Sequence, residues 1–393
     1  MNLLAPETYE GVRRPLLEAE TLPPQCYTSH EFYKLEVANI FMKCWNVIGR
    51  EDYLKKSGDF FAFTVVEIPV FAVKAEDGKI RAFINSCRHR GARLIEGEGN
   101  CRGIVCPYHA WTYDLQGRLR GATGMADTIG FNAADFGLIE IKVDTWAGFL
   151  FVNFDLQSVS LKQYLGRLHE FTDSYSLDSM VTTHRKSFKL RTNWKSYVEN
   201  SQEVFHLPTI HRRTFGTLKA EFTHTNGAPG NFTIQGTRLT NPKPRSVVEG
   251  AASFDRIPTL TGAAAQGAQY ILVYPCTIIG CDLDFMWFRI MEPEGPDLVH
   301  YKAAFCFPKA TAERTDFNEI AQNYYSRADL VIAEDNSAAE IQFAGLNQPF
   351  GRPSRFSSRE PLVHAIDNWV LDRVFGAQPA MRMPVEAPQV IAS

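Results

Sequence analysis

Cys87-Arg88-His89 and, after sixteen intervening residues, Cys106-Pro107-Tyr108-His109 decide how this chain reads. Each half offers one thiolate and one imidazole. Cys87 and Cys106 can hold one iron, and His89 and His109 the other, which is the ligand set of a Rieske [2Fe–2S] centre. The alternative is a Cys₂His₂ zinc site. Structural zinc usually pairs Cys with Cys and His with His, as Cys-x-x-Cys followed by His-x₃-His. Here each half carries one of each, so iron–sulfur is the preferred reading. Such a centre moves one electron at a time, which places the chain in redox chemistry.

The sequence around the motif sets the frame. With 393 residues, two or three domains and a substantial core are expected. A net charge of −3 argues against nucleic acid as a partner, which would call for a basic patch. No run reaches the eighteen apolar residues of a membrane span, so no membrane association is expected. Residues 1–15 include Glu7 and Glu10 and contain no apolar core of a signal peptide, so a cytoplasmic location is expected. Eight cysteines in a chain this long do not suggest a disulfide scaffold, and Cys26, Cys44, Cys101, Cys276, Cys281 and Cys306 read as buried thiols.

Residues 41–160 read as strands. Phe71–Val73 and Ile80–Ile84 flank Asp77-Gly78, a strong hairpin signal, and Trp111–Tyr113 and Leu119 flank the weaker Gln116-Gly117. Both Cys–His pairs therefore fall in loops at strand ends, where two hairpins can grip a cluster from two sides. Beyond residue 160, the 194–205 stretch has a helical pattern, 223–267 reads as a long irregular excursion, 270–274, 285–291 and 299–307 read as strands, and 317–345 as a long helix. No Gly-x-Gly-x-x-Gly follows a strand, so no dinucleotide site is visible and reducing power must come from elsewhere.

A second constellation lies at 199–211. On a continued helix, Glu199, Asn200, Glu203 and His206 would share one stripe. Pro208 would then end the helix and free His211 to swing back toward His206. Two histidines need a carboxylate to complete the open-faced 2-His-1-carboxylate site of non-haem Fe(II) oxygenases. Asp335 is the candidate, because Ala328, Val331, Ile332, Ala338 and Ala339 surround it on its helix face and a carboxylate there is costly unless paired or metal-bound. The competing reading makes Glu334, Asp335 and Glu340 a solvated face, and His206 and His211 a satisfied core pair.

Taken together, these residues resemble the catalytic α subunit of the Rieske non-haem iron oxygenases, of the ring-hydroxylating and dealkylating type. Cys87, His89, Cys106 and His109 match the family's cluster motif, and Glu199-Asn200, Glu203, His206 and His211 its iron motif. Glu334-Asp335, with Gln342 and Gly345-Leu346 downstream, resembles the segment that carries the third iron ligand. The resemblance implies an α+β protein. An N-terminal segment (1–40) packs on the catalytic domain, an all-β Rieske domain spans 41–160, and residues 161–393 form a catalytic domain with a helix-covered antiparallel sheet. It also implies a [2Fe–2S] cluster, a mononuclear Fe(II), a homotrimer, and electrons from a ferredoxin or a flavin NAD(P)H reductase. In such a ring, Glu203 would bridge His109 of one chain and His206 of the next. Many members carry Asp at that position; some dealkylating members carry Glu. High-potential respiratory relatives bear an extra cysteine in each cluster loop and a serine nearby. Ala92, Tyr108 and Trp111 stand at those positions here, which favours a lower potential and weighs against a pure electron-transfer protein.

The substrate is read more coarsely. Phe205, Leu207, Ile210, Phe285, Trp287 and Asn336 are the candidate lining residues, and their apolar character suits an aromatic or alkyl-bearing small molecule. Neither a basic clamp for a carboxylate nor an acidic cage for a quaternary amine stands out. Hydroxylation, dihydroxylation and oxidative dealkylation all remain open.

Overall fold

A computed structural model describes residues 2–215, 220–244, 247 and 250–376. The end of the expected 161–393 domain, beyond 376, lies outside the described residues. The chain divides into two compact units, residues 42–161 and residues 1–41 with 162–393. No helix among the described residues is long and apolar enough to cross a membrane.

The unit formed by 42–161 is all β apart from short 3₁₀ turns. Its strands are β1 (Asn46–Arg50), β2 (Asp59–Val65), β3 (Ile68–Lys74), β4 (Ile80–Ile84), β5 (Glu98–Asn100), β6 (Ile104–Val105), β7 (Thr112–Tyr113), β8 (Leu119–Gly121), β9 (Glu140–Trp146) and β10 (Phe149–Asn153). Seven of them form one sheet in the order β1-β10-β9-β4-β3-β2-β5, and β6-β7-β8 form a second, smaller one. Turn chemistry explains the hairpins. Between β3 and β4, Gly78 takes φ +78° and the Asp77 carboxylate accepts the Lys79 amide at 3.1 Å. Between β7 and β8, Gly117 takes φ +81°, and an added Cβ would meet the Phe83 ring at 2.5 Å. The β2–β3 turn lacks any such signal: Val66 and Glu67 both adopt positive φ. Phe71, Phe83, Cys87, Cys106, Trp111 and Tyr113 belong to one buried core, so the two cysteine loops rest on the same packed base.

The other unit is built on a seven-stranded antiparallel sheet. Its strands are β11 (Met180–Leu190), β12 (Glu221–Asn226), β13 (Phe232–Arg238), β14 (Gln269–Val273), β15 (Thr277–Cys281), β16 (Met286–Pro293) and β17 (Val299–Pro308), ordered β11-β17-β16-β15-β14-β13-β12. Helices cover it: Trp194–Asn200 packs on β16 and on the long Phe317–Leu346 helix, and Pro361–Phe375 packs against β12 and β13. The residues before 42 are fastened into this unit. Arg13 pairs with Asp372 at 2.6 Å, and the Tyr33 hydroxyl donates to the Pro293 carbonyl.

Three expectations are corrected here. Residues 221–238 form the β12–β13 hairpin, where an irregular excursion was expected. The helix that starts at Trp194 ends at Asn200, short of Glu203 and His206. Pro208 opens a separate one-turn helix, Leu207–Ile210, where its missing N–H costs nothing, so it starts a helix where it was expected to end one.

Candidate active site

The cluster loops bring their four residues together. Cys87 and Cys106 are buried and each begins a tight turn: the Gly91 amide donates back to the Cys87 carbonyl, and the Ala110 amide to that of Cys106. Gly91 and Ala110 both take positive φ, which folds each loop over its cysteine. His89 Nδ1 and His109 Nδ1 face each other at 3.1 Å, the spacing of two ligands that share one iron. His89 stacks on Trp111 at 4.7 Å, and His109 on Tyr108 at 3.7 Å. The Tyr113 hydroxyl lies 3.3 Å from Cys87 Sγ and accepts the Arg88 amide at 3.0 Å. A cluster-bound Cys87 is a thiolate with no proton to give, so in that pair the hydroxyl would be the donor. Burial and that contact push the Tyr113 pKa up, so the hydroxyl stays a donor. Tyr113 thus offers the cluster sulfurs one hydrogen-bond donor. Among the other cysteines, Cys101 is only partly buried, contrary to expectation, and the remaining five are buried and form no disulfide.

The second centre is assembled from three elements. His206 sits in the loop before the Leu207–Ile210 turn, His211 just after it, and Asp335 projects from the long helix. The imidazole nitrogens and the carboxylate oxygen lie within 4.8 Å of one another. Asp335 Oδ1 is 2.9 Å from His211 Nε2 and 4.0 Å from His206 Nε2. Both histidines thus turn Nε2 toward the carboxylate and Nδ1 outward. Each outward nitrogen meets its own carboxylate: His206 Nδ1 bonds Glu203, and His211 Nδ1 donates to Glu334 at 2.8 Å. Glu203 also accepts the amides of Phe205 and His206, which bends the chain so that His206 enters the site without a helix beneath it. Glu334 accepts in addition from the Thr214 hydroxyl at 2.6 Å.

Asp335 is pinned from the far side. Arg289 Nη1 donates to its Oδ2 at 3.0 Å, and Asn200 Nδ2 to its Oδ1 at 3.3 Å. Burial works against the Asp335 charge. The His211 hydrogen bond and the Arg289, His211 and His206 charges together outweigh it and hold the carboxyl below its usual range. Arg289 is positioned by the sheet. Strand alternation puts it on the same face as Trp287, whose ring it covers at 4.5 Å, and Trp287 lies over Gly280, its partner across β15 and β16. An added Cβ at Gly280 would stand 2.1 Å from the Trp287 ring, so only glycine admits the indole.

Nothing in the local sequence marks Arg289 or Glu334 as a partner of the iron ligands. Glu334 reads as a solvated helix residue beside Asp335, and Arg289 lies in an apolar strand. Glu199 departs from expectation in the other direction. It is buried and accepts from the Tyr27 hydroxyl at 3.0 Å, away from the iron ligands, because the helix that carries it stops one residue later. Burial in that setting pushes its carboxyl up to about 7.

The ligand triad opens onto a cavity of about 870 Å³. Leu207, Phe285 and Trp287 line it as expected. Phe205, Ile210 and Asn336 do not: Phe205 is exposed, and Asn336 accepts from Tyr197. Tyr270, Phe222 and Phe215 add aromatic wall, and Asp282 and Arg327 make it less apolar than the sequence suggested.

Comparison with known proteins gives the same division. Residues 44–138 match the Rieske [2Fe-2S] domain, and residues 177–376 the ring hydroxylating alpha subunit (catalytic domain). The chain is 28% identical to the chloroplastic choline monooxygenase of Atriplex hortensis over 353 residues, covering 87% of this chain and 76% of that protein. It is 30% identical to the biphenyl dioxygenase subunit alpha of Metapseudomonas furukawaii, covering 49% of this chain and 45% of that one. The crystal structure of the quaternary ammonium Rieske monooxygenase CntA with gamma-butyrobetaine shares the fold: TM-score 0.78 at 21% identity, covering 95% of this chain and 99% of that one.

Proposed function

Since the chain belongs to the ring-hydroxylating oxygenase α-subunit family, with a Rieske domain ahead of its catalytic domain, we propose that its cavity binds a small, largely apolar organic molecule for oxidation by O₂ beside His206, His211 and Asp335. The chain is the terminal oxygenase component of a system whose electrons come from a reductase or ferredoxin. The observation that carries the substrate reading is the aromatic-walled cavity opening directly onto the three ligand atoms. A mononuclear iron held by one carboxylate and two imidazoles keeps positions for O₂ and, with a Rieske cluster as electron source, supplies the oxidising chemistry.

The protein's own groups do the positioning. Glu334 and Glu203 fix the tautomers of His211 and His206, so that both present Nε2 to the metal. Arg289 and Asn200 hold the Asp335 carboxylate in place and keep it ionised. Cys87, His89, Cys106 and His109 would hold the cluster. Trp287, Tyr270 and Phe285 give the substrate an apolar wall away from water.

In the homotrimer we propose, Glu203 also accepts from His109 of a neighbouring chain, which joins the two metal centres through one carboxylate. Its contact with His206 supports this role. We place this system in the cytoplasm, where NAD(P)H is available to a reductase. Two experiments test the reading. Aromatic, N-alkyl and O-alkyl compounds are screened for substrate-dependent O₂ uptake with a surrogate reductase; uptake with none of them refutes the oxygenase. Glu203→Gln is expected to retain both metals and lose most turnover, and normal oxidation by that variant removes the bridge.

A further inference from the structure

One half-buried guanidinium in the cavity wall, that of Arg327, has no hydrogen-bond acceptor among the described residues. Arg327 lies on the long helix, with Val331 and Asp335 at i+4 and i+8, and all three line the cavity. A rise of 1.5 Å per residue places its Cα roughly 12 Å along the helix from that of Asp335. The guanidinium lies over the Phe215 ring at 5.0 Å, and the same ring packs on His211 at 5.1 Å. A single side chain therefore separates this cation from an iron ligand.

The contrast with Arg289 is instructive. Arg289, in the same wall, spends its charge on Asp335 at 3.0 Å. Arg327 has no hydrogen-bond acceptor and no ion pair among the described residues. Burial weighs against its charge, and the fields of Tyr270, Asp282 and Glu334 offset this only in part. Glu334 is already engaged by His211 and Thr214. A half-buried guanidinium with unmet donors is costly, and a planar carboxylate meets it with two parallel hydrogen bonds.

We propose that Arg327 is the specificity-determining residue of this cavity and receives a carboxylate of the substrate at the end remote from the iron, while the carbon to be oxidised lies beside His206, His211 and Asp335. This deepens the oxygenase reading above and rests on it. The substrate is then an organic acid or a zwitterion with an apolar body held by Trp287 and Tyr270. A cation with no anionic group, such as choline, meets like charge here and binds weakly.

Calorimetric titration of the fully metallated protein, without O₂, tests this. The probes are 4-methoxybenzoate, 3-phenylpropanoate and gamma-butyrobetaine, each against its primary amide, with choline alongside. At least one carboxylate is expected to bind about tenfold or more tightly than its amide, as charge-assisted hydrogen bonds require. Arg327→Met should erase that difference and leave amide affinity within about twofold. Arg327→Lys should keep part of it, since a point charge replaces a fork. Cluster absorbance and melting temperature confirm that each variant is folded. The inference is overturned if no carboxylate outbinds its amide in the wild type, if choline binds best, or if the preference survives in the folded Met variant. Oxygen uptake is not read, so failure here leaves the oxygenase reading standing, and failure of turnover leaves this result standing.

Discussion

Glu334→Ala leaves all three iron ligands in place and removes only what holds one of them. In the native protein the Glu334 carboxylate accepts from His211 Nδ1 at 2.8 Å and from Thr214 at 2.6 Å. Without it, the imidazole loses its tautomer preference and part of its basicity. Outer-shell partners of this kind are worth 10- to 100-fold in metal affinity, or about 1.4 to 2.7 kcal/mol. The structure says which end applies. Thr214 Oγ1 already stands 3.5 Å from His211 Nδ1, so in the alanine variant the hydroxyl can turn and accept in place of the carboxylate. That neutral bond recovers a fraction, and the loss for Glu334→Ala is set at about 30-fold; adding Thr214→Val should carry it to about 100-fold. Glu334→Gln, which keeps an acceptor oxygen without its charge, should lose about tenfold. The assay is anaerobic Fe(II) titration of protein depleted at the mononuclear site, in competition with a chromophoric chelator, with cluster content followed by visible absorbance. Affinity within twofold of wild type for the Ala/Val double variant would refute the assignment of Glu334 to His211.

Three further predictions follow the same geometry. Asp335→Ala should keep the cluster's visible spectrum and lose the mononuclear iron; full iron occupancy would move the third ligand elsewhere. Tyr113→Phe removes a donor to Cys87 Sγ that favours the more negative reduced cluster, so an EPR-monitored redox titration should find a lower potential, and an unchanged one contradicts the hydrogen bond. Glu199 has a folded-state pKa raised by burial to about 7 from 4.5, so the folded protein holds a proton that the unfolded chain releases. Its contribution is full below pH about 4.5 and declines as pH rises toward 7. Urea unfolding of Glu199→Gln across that window should therefore show a flatter pH profile than wild type, and parallel profiles would refute the shift.

The parts of this protein that could be read in the sequence are those where a residue type has few physical alternatives. Mixed Cys–His pairs have one common explanation, Asp77-Gly78 has one common turn, and Asp335 on an apolar helix face calls for a partner. Harder to read are features that depend on distant chain. Glu334 looks solvated until the loop carrying His211 and Thr214 folds against it. Arg289 and Arg327 look like ordinary basic residues until the sheet and the long helix turn them into the same cavity. The β2–β3 turn carries Val66 and Glu67 where glycine would have announced it. Helical periodicity misled at Glu199 and Glu203 because it continues past Asn200, where the backbone does not; the Glu203 carboxylate instead captures the next amides and redirects the chain. The β12–β13 hairpin was hidden by Gly227, Pro229, Gly230 and Asn231, which form its turn, and by the irregular chain that follows β13.

The central claim is that one chain carries a Rieske cluster and, separately, a mononuclear iron. Metal and acid-labile sulfide analysis of purified protein, paired with EPR of the dithionite-reduced sample, measures it directly. The account predicts the two irons of a [2Fe–2S] centre with a Rieske signal and one further iron that is lost on Asp335→Ala. Zinc in place of iron, or a Rieske signal with no iron beyond the cluster's own pair in freshly reconstituted protein, would contradict it.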